Sequence, residues 1–125
     1  MKRSAFTIAV VDDTDLARYA AVKMLRSLGF KTAEAETGEE AQLIASRQGV
    51  SAMLLDVNLP DVNGVAVCEF IKKGPKPIPV VLMSAVYVDE LHKGAAMDAG
   101  ADGYLVSPLE PQELGAVFDR LLGIQ

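Results

Sequence analysis

The chain has one cysteine, one histidine and no tryptophan, and aromatic residues make up only 6% of its 125 residues. Cys68 has no partner for an internal disulfide, so the fold carries no covalent staple, and a reducing compartment suits it. The only histidine, His92, reads as a solvated helix residue and not as a phosphohistidine. Basic runs are missing apart from Lys2-Arg3 and Lys72-Lys73, and the net charge is -5. Such a surface repels phosphate backbones, which argues against direct nucleic-acid binding. No apolar stretch approaches the roughly 20 residues of a membrane span. The apolar run at 6–11 ends at two acids and is too short for the core of a signal peptide. These absences predict a cytoplasmic chain with no membrane insertion. Internal repeats, low-complexity segments and interdomain linkers are also missing, so one domain over 1–125 is expected. A P-loop is absent, and no Ser/Thr/Gly-rich phosphate loop follows the first apolar run, which sets aside nucleotide and flavin roles.

What is present is an alternation. Apolar runs of strand length lie at 6–11, 32–35, 52–55, 80–83 and 104–106. The first, third and fourth are nearly continuous, as in strands buried on both faces. Between them lie helical patterns. Leu16, Ala20, Met24 and Leu28 recur every four residues, widened by Ala17, Ala21 and Leu25, and Gly29 stops them. Thr37-Gly38-Glu39-Glu40 reads as a capping box before Ala41, Ile44 and Ala45. Gly64 opens a third helix with Cys68 and Ile71 inward, ended by Gly74-Pro75; a fourth runs 89–99 and stops at Gly100. Glu110 caps the fifth, with Pro111 in its first turn and Leu114, Val117, Phe118, Leu121 and Leu122 on its apolar face. Five β-α units predict an α/β fold with a parallel sheet covered on both sides.

Acids gather where strands end. Asp12 and Asp13 follow the first strand and Asp56 the third. In the flavodoxin-like strand order 2-1-3-4-5, those strands are neighbours and their carboxyl ends form the topological switch point. Three carboxylates then share one pocket, with Ser84 and Ser107 at its rim. Converging carboxylates repel, and a hard divalent cation such as Mg2+ relieves that repulsion through oxygen ligands. One carboxylate is then available as a nucleophile toward a phosphoryl donor. Read singly, Asp-Asp after a strand is as well explained by helix capping; the joint placement favours a site.

The residues that carry a resemblance are Val10-Val11-Asp12-Asp13, Leu54-Leu55-Asp56-Val57-Asn58-Leu59-Pro60-Asp61-Val62-Asn63-Gly64, Pro79-Val80-Val81-Leu82-Met83-Ser84-Ala85 and Gly100-Ala101-Asp102-Gly103-Tyr104-Leu105. Over essentially its whole length the chain resembles the receiver domains of response regulators and hybrid histidine kinases. The resemblance implies a flavodoxin-like (βα)5 fold and Mg2+ as cofactor. It implies Asp56 as phosphoacceptor, Asp12 and Asp13 as metal-binding acids, and the Asn58 backbone carbonyl as a further ligand. Ser84 matches the hydroxyl that bonds the phosphoryl group, Tyr104 the aromatic switch, and the Ser107-Pro108 peptide is expected to be cis. Implied partners are a histidine kinase or phosphotransfer domain, with signalling through the face of the fourth helix, fifth strand and fifth helix, where homodimers also form. Any enzymatic activity would be confined to self-catalysed phosphoryl transfer and autodephosphorylation.

Ser107 departs from the family, which places a lysine there. Trading a charge-assisted hydrogen bond for a neutral one costs on the order of 1–2 kcal/mol, or about tenfold, in phosphoryl stabilisation. Neither Lys76 nor Lys93 is placed by sequence to replace it. The ending Gly103-Tyr104-Leu105-Val106-Ser107-Pro108-Leu109-Glu110-Pro111 is similar to receivers of multidomain sensor kinases, implying kinase or sensory domains in the same full-length chain. The segment 84–89, with Tyr87, is one residue longer than the family pattern. The competing reading is a pseudo-receiver, an interaction module that never carries phosphate: Ser107 favours it and the acidic triad opposes it. An aspartyl-nucleophile phosphatase fits worse, since Asp13-Thr14-Asp15 lacks a later lysine motif.

Overall fold

The protein is described by a computed structural model covering residues 1–47, 49–84 and 90–125, and the side chains of all of these except 90–93. Segment 85–89, with Tyr87 and Asp89, and the side chains of His92 and Lys93 therefore lie outside the described residues. Strands β1 (Thr7–Val11), β2 (Lys31–Ala35), β3 (Ala52–Asp56), β4 (Val80–Ser84) and β5 (Gly103–Val106) alternate with helices α1 (Asp15–Ser27), α2 (Gly38–Ala45), α3 (Gly64–Lys73), α4 (Glu90–Asp98) and α5 (Pro111–Leu122). All pairings are parallel, in the order β2-β1-β3-β4-β5. This is the flavodoxin-like architecture expected from the alternation.

Successive strand residues face opposite layers. Ala9, Val11, Met53, Leu55, Val80 and Leu82 join the α2–α3 side, where Ala41, Val67, Cys68 and Ala96 complete the packing. Ile8, Val10, Leu54, Val81 and Met83 face the other side, against Ala21 and Leu25 of α1 and Leu114 and Phe118 of α5. Both faces of the central strands are buried, which explains their uninterrupted apolar character. Cys68 is fully buried and burial pushes its thiol up to about 11, the behaviour of a small hydrophobe.

The expected terminators hold: Gly29 and Gly100 take φ values of 104° and 92°. Thr37 caps α2 by accepting the Glu40 amide, whereas the return bond from Glu40 reaches the Glu36 amide, one residue before the capping-box target. Glu110 accepts the amides of Gln112 and Glu113 and so caps α5.

One expectation is corrected. Of the α1 stripe, Ala21 and Leu25 are buried and Met24 and Leu28 pack partly buried against the core as expected, whereas Leu16, Ala17 and Ala20 at the start of the helix are exposed. Leu16 is 79% exposed and Tyr19 62%, leaving an apolar strip on the outer side.

Candidate acidic cation site

Asp12 sits just beyond β1, its amide still bonded to the Ala35 carbonyl at 3.1 Å, so it prolongs the sheet by one residue. Its side chain is 5% exposed, and Oδ1 accepts the Thr14 amide at 2.9 Å. That bond turns the chain into α1 and leaves Asp13 exposed at the mouth. Asp56 is the last residue of β3, registered against Met83 of β4, and not the residue after the strand. Gly64 crosses directly over it: its amide donates to the Val57 carbonyl at 2.7 Å, and a Cβ there would overlap the Asp56 carbonyl oxygen. Only glycine allows this approach.

One carboxylate oxygen from each of Asp12, Asp13 and Asp56 lies within 4.8 Å of the others. The carboxyl of Asp56 is pushed up from 3.8 to about 6. Burial is the main cause; the Asn58 amide, donating to Oδ1 at 3.0 Å, pulls it down, while negative charge on Asp12 and Asp13 pushes it up. An all-oxygen, triply anionic donor set that resists its own ionisation suits a hard divalent cation. Among the described residues no lysine or arginine is ion-paired with these three carboxylates.

Ser84 ends β4 and is 3% exposed. The Ser107 amide donates to the Ser84 carbonyl at 2.8 Å, and the Ser107-Pro108 peptide is cis. Tyr104 pairs with Leu82 and packs partly buried against the α2–α3 layer. Asn58 bridges to Asn63 across the β3–α3 loop and is itself exposed. Lys76 does not reach the site, since its ammonium bonds the Arg47 carbonyl. Lys72 is engaged by Asp102 and the Ile78 carbonyl.

Two supporting residues were not anticipated. Arg18 donates to the Asp12 backbone carbonyl at 2.7 Å and pairs with Asp15, Glu34 and Glu36, tying the loop that carries the acids to α1 and to the end of β2. Asp61 accepts the amides of Gly38 and Glu39, which holds its carboxyl below the usual range and fastens the β3–α3 loop to the start of α2. The Asp15-Arg18 spacing was a visible signal for the first pairing; the bond from Asp61 to α2 had none.

Residues 8–119 match the family described as the response regulator receiver domain, and the chain belongs to that family. A protein of Cyanidium caldarium described as a probable transcriptional regulator, ycf27, is 33% identical over 115 residues, which cover 92% of this chain and 45% of that protein. The chain spans about half the length of the first curated relatives it matches. The receiver domain of a sensor histidine kinase from Pseudomonas aeruginosa superposes with a TM-score of 0.85 at 26% identity, covering 95% of this chain and 98% of that one; it has a magnesium ion coordinated in its active-site cleft. The signal receiver domain of a histidine kinase from Syntrophus aciditrophicus superposes at 0.84 with 26% identity, covering 95% and 91% of the two chains. The chain is thus a receiver domain of two-component signalling with an acidic pocket suited to Mg2+. Among the described residues no helix is long and apolar enough to cross a membrane.

Proposed function

We propose that Asp56 accepts a phosphoryl group from a phosphohistidine, with Mg2+ held by Asp12, Asp13, Asp56 and the Asn58 carbonyl. The observation that carries this reading is the convergence of three carboxylates from β1 and β3 within 4.8 Å. In the transfer an Asp56 oxygen forms a bond to phosphorus as the phosphorus–nitrogen bond of the donor breaks, and that bond's electron pair leaves on the imidazole nitrogen. A bound Mg2+ offsets charge on the phosphoryl oxygens. The chain's own residues do the rest. The Asn58 amide orients Asp56 Oδ1, Arg18 holds the Asp12 loop, and Ser84 stands beside the strand end to bond a phosphoryl oxygen. Tyr104, on β5 beside Leu82, is the element whose ring responds to Ser84. Ser107 takes the lysine position as a neutral donor. The phosphodonor is a histidine kinase or phosphotransfer domain, and the readout face is that of α4, β5 and α5. The unit spans 1–125 and operates in the cytoplasm, alongside kinase or sensory domains of a longer chain.

Intact-mass measurement with acetyl phosphate tests the reading: one phosphoryl unit should be gained with Mg2+, and none with EDTA or in Asp56→Asn. Absence of that gain with both acetyl phosphate and a panel of phosphohistidine donors would refute it. It would favour the pseudo-receiver, for which Ser107 is the one supporting residue.

A further inference from the structure

The triad lies at the carboxyl ends of the strands, and α2 and α3 run back from it to finish at the opposite end of the sheet. There a cleft of about 70 Å³ opens between the two helices and the turn that ends α3. Its inner side is made by the buried Ala45 and Ile71, and the Phe70 ring and Pro75 border it toward solvent. Phe70 is 60% exposed, whereas Phe30 and Phe118 are buried and Phe6 packs partly buried against the core. Leu43, on the outer side of α2 and four residues before Arg47, is 58% exposed. Charge around the cleft is mostly positive. Segments 42–47 and 69–76 carry Arg47, Lys72, Lys73 and Lys76 against one acid, Glu69, in a chain whose net charge is -5. Lys72 is paired with Asp102 and Lys73 with Glu69. The Lys76 ammonium bonds only the Arg47 backbone carbonyl, and among the described residues the Arg47 guanidinium has no acid partner. Helix dipoles account for basic residues at these helix ends; they do not account for an aromatic ring held in water beside them.

From this arrangement we infer that the α2–α3 cleft docks an acidic peptide segment of a partner protein, anchored by one branched aliphatic side chain. At about 30 Å³ per water the cleft holds about two waters, room for the end of a leucine but not for an aromatic ring or a nucleic-acid base. Taking that end out of water against Ala45, Ile71 and Phe70 supplies the anchor, and acidic flanks meet Arg47 and Lys76. A basic segment is repelled by the same two cations. A second copy of the chain, docked through this face on a two-fold axis, sets each basic patch against its like. The surface lies at the far end of the sheet from Asp56, and its use does not rest on the phosphoacceptor reading.

The test is an NMR titration of the whole chain, labelled at amides and at Ala and Ile methyls, with an end-blocked synthetic peptide in which one leucine is flanked on both sides by aspartates and glutamates. At low salt, saturable shifts are expected at the Ala45 and Ile71 methyls and the Phe70 and Lys76 amides, with a Kd of about 1 mM or below. Salt at about 0.15 M should weaken binding about threefold, and alanine in place of the peptide's leucine about tenfold. Phe70→Ala and Arg47→Glu alter exposed side chains, so sheet amide shifts should stay unchanged while each variant binds at least about fivefold more weakly. Equal affinity for a peptide with lysines in place of the acids, undiminished binding in both variants, or shifts confined to Leu16 and Tyr19 of α1 would overturn the assignment. So would the absence of saturable shifts up to about 10 mM peptide. Shifts at the same residues on raising the chain's own concentration, without peptide, would assign the face to a second copy and overturn it too. Phosphorylation is not read in this experiment, so its failure is separate from failure of the phosphoacceptor reading.

Discussion

Replacing Asp56 by asparagine should make the metal-free protein more stable. The Asp56 carboxyl titrates at about 6 in the folded chain against 3.8 ordinarily, because burial and then the charges of Asp12 and Asp13 oppose ionisation, partly offset by the Asn58 amide. The folded state therefore binds this proton more tightly than the unfolded state. Its contribution is complete below the unfolded value and is lost as pH rises through the folded one. At about 1.4 kcal/mol per pKa unit the full difference approaches about 3 kcal/mol. Asp56 is partly exposed, and screening brings that to about 1–2 kcal/mol. The asparagine side chain would keep the shape and the bond from the Asn58 amide while removing the charge. Urea denaturation in EDTA should show the two proteins alike near about pH 4, with Asp56→Asn more stable by about 1–2 kcal/mol above about pH 7. Mg2+ at ten times its Kd should add about 1.4 kcal/mol to the unsubstituted protein and markedly less to the variant. A variant less stable at neutral pH, or a gap independent of pH, would refute the electrostatic account of the triad.

Arg18→Met should lower stability by about 1–2 kcal/mol, since the exposed acid pairs contribute little but the Asp12 carbonyl loses a charged donor; Mg2+ titration should show a weaker site, partly restored in Arg18→Lys. Gly64→Ala should cost about 3 kcal/mol, because a backbone oxygen at the centre of the fold must move to admit the methyl; circular dichroism melting checks this. Asp61→Ala should speed hydrogen exchange at the Gly38 and Glu39 amides, and acid should do the same in the unsubstituted protein as Asp61, whose carboxyl is held low, becomes protonated.

The strands, the helix caps and the three acids were legible because each is written locally, in apolar runs of three to six residues, a Thr three before a Glu and acids at strand ends; the strand order came from the resemblance. The exposure of the first turns of α1 was not. Periodicity marks which residues share a side but not how deep each lies: Leu16 is largely exposed while Ala21 and Leu25 are buried. Arg18 was half legible: Asp15 lies three residues before it, but Glu34 and Glu36 reach it only through the β1–β2 register.

Asp56 closes the central strand, and the Val57 amide just after it bonds the Met83 carbonyl, so its backbone is held by ladders on both sides through Leu55-Val11 and Asp56-Met83. Opening that position would mean breaking the middle of the sheet, and its amide protection should approach that of global unfolding. Asp13 and Asn58 lie on loops outside those ladders. The cation pocket therefore has two lifetimes: a floor that persists as long as the fold, and a rim that can fray and re-form many times in between. Hydrogen exchange of the Asp56 and Asn58 amides, two residues apart, would report the two separately.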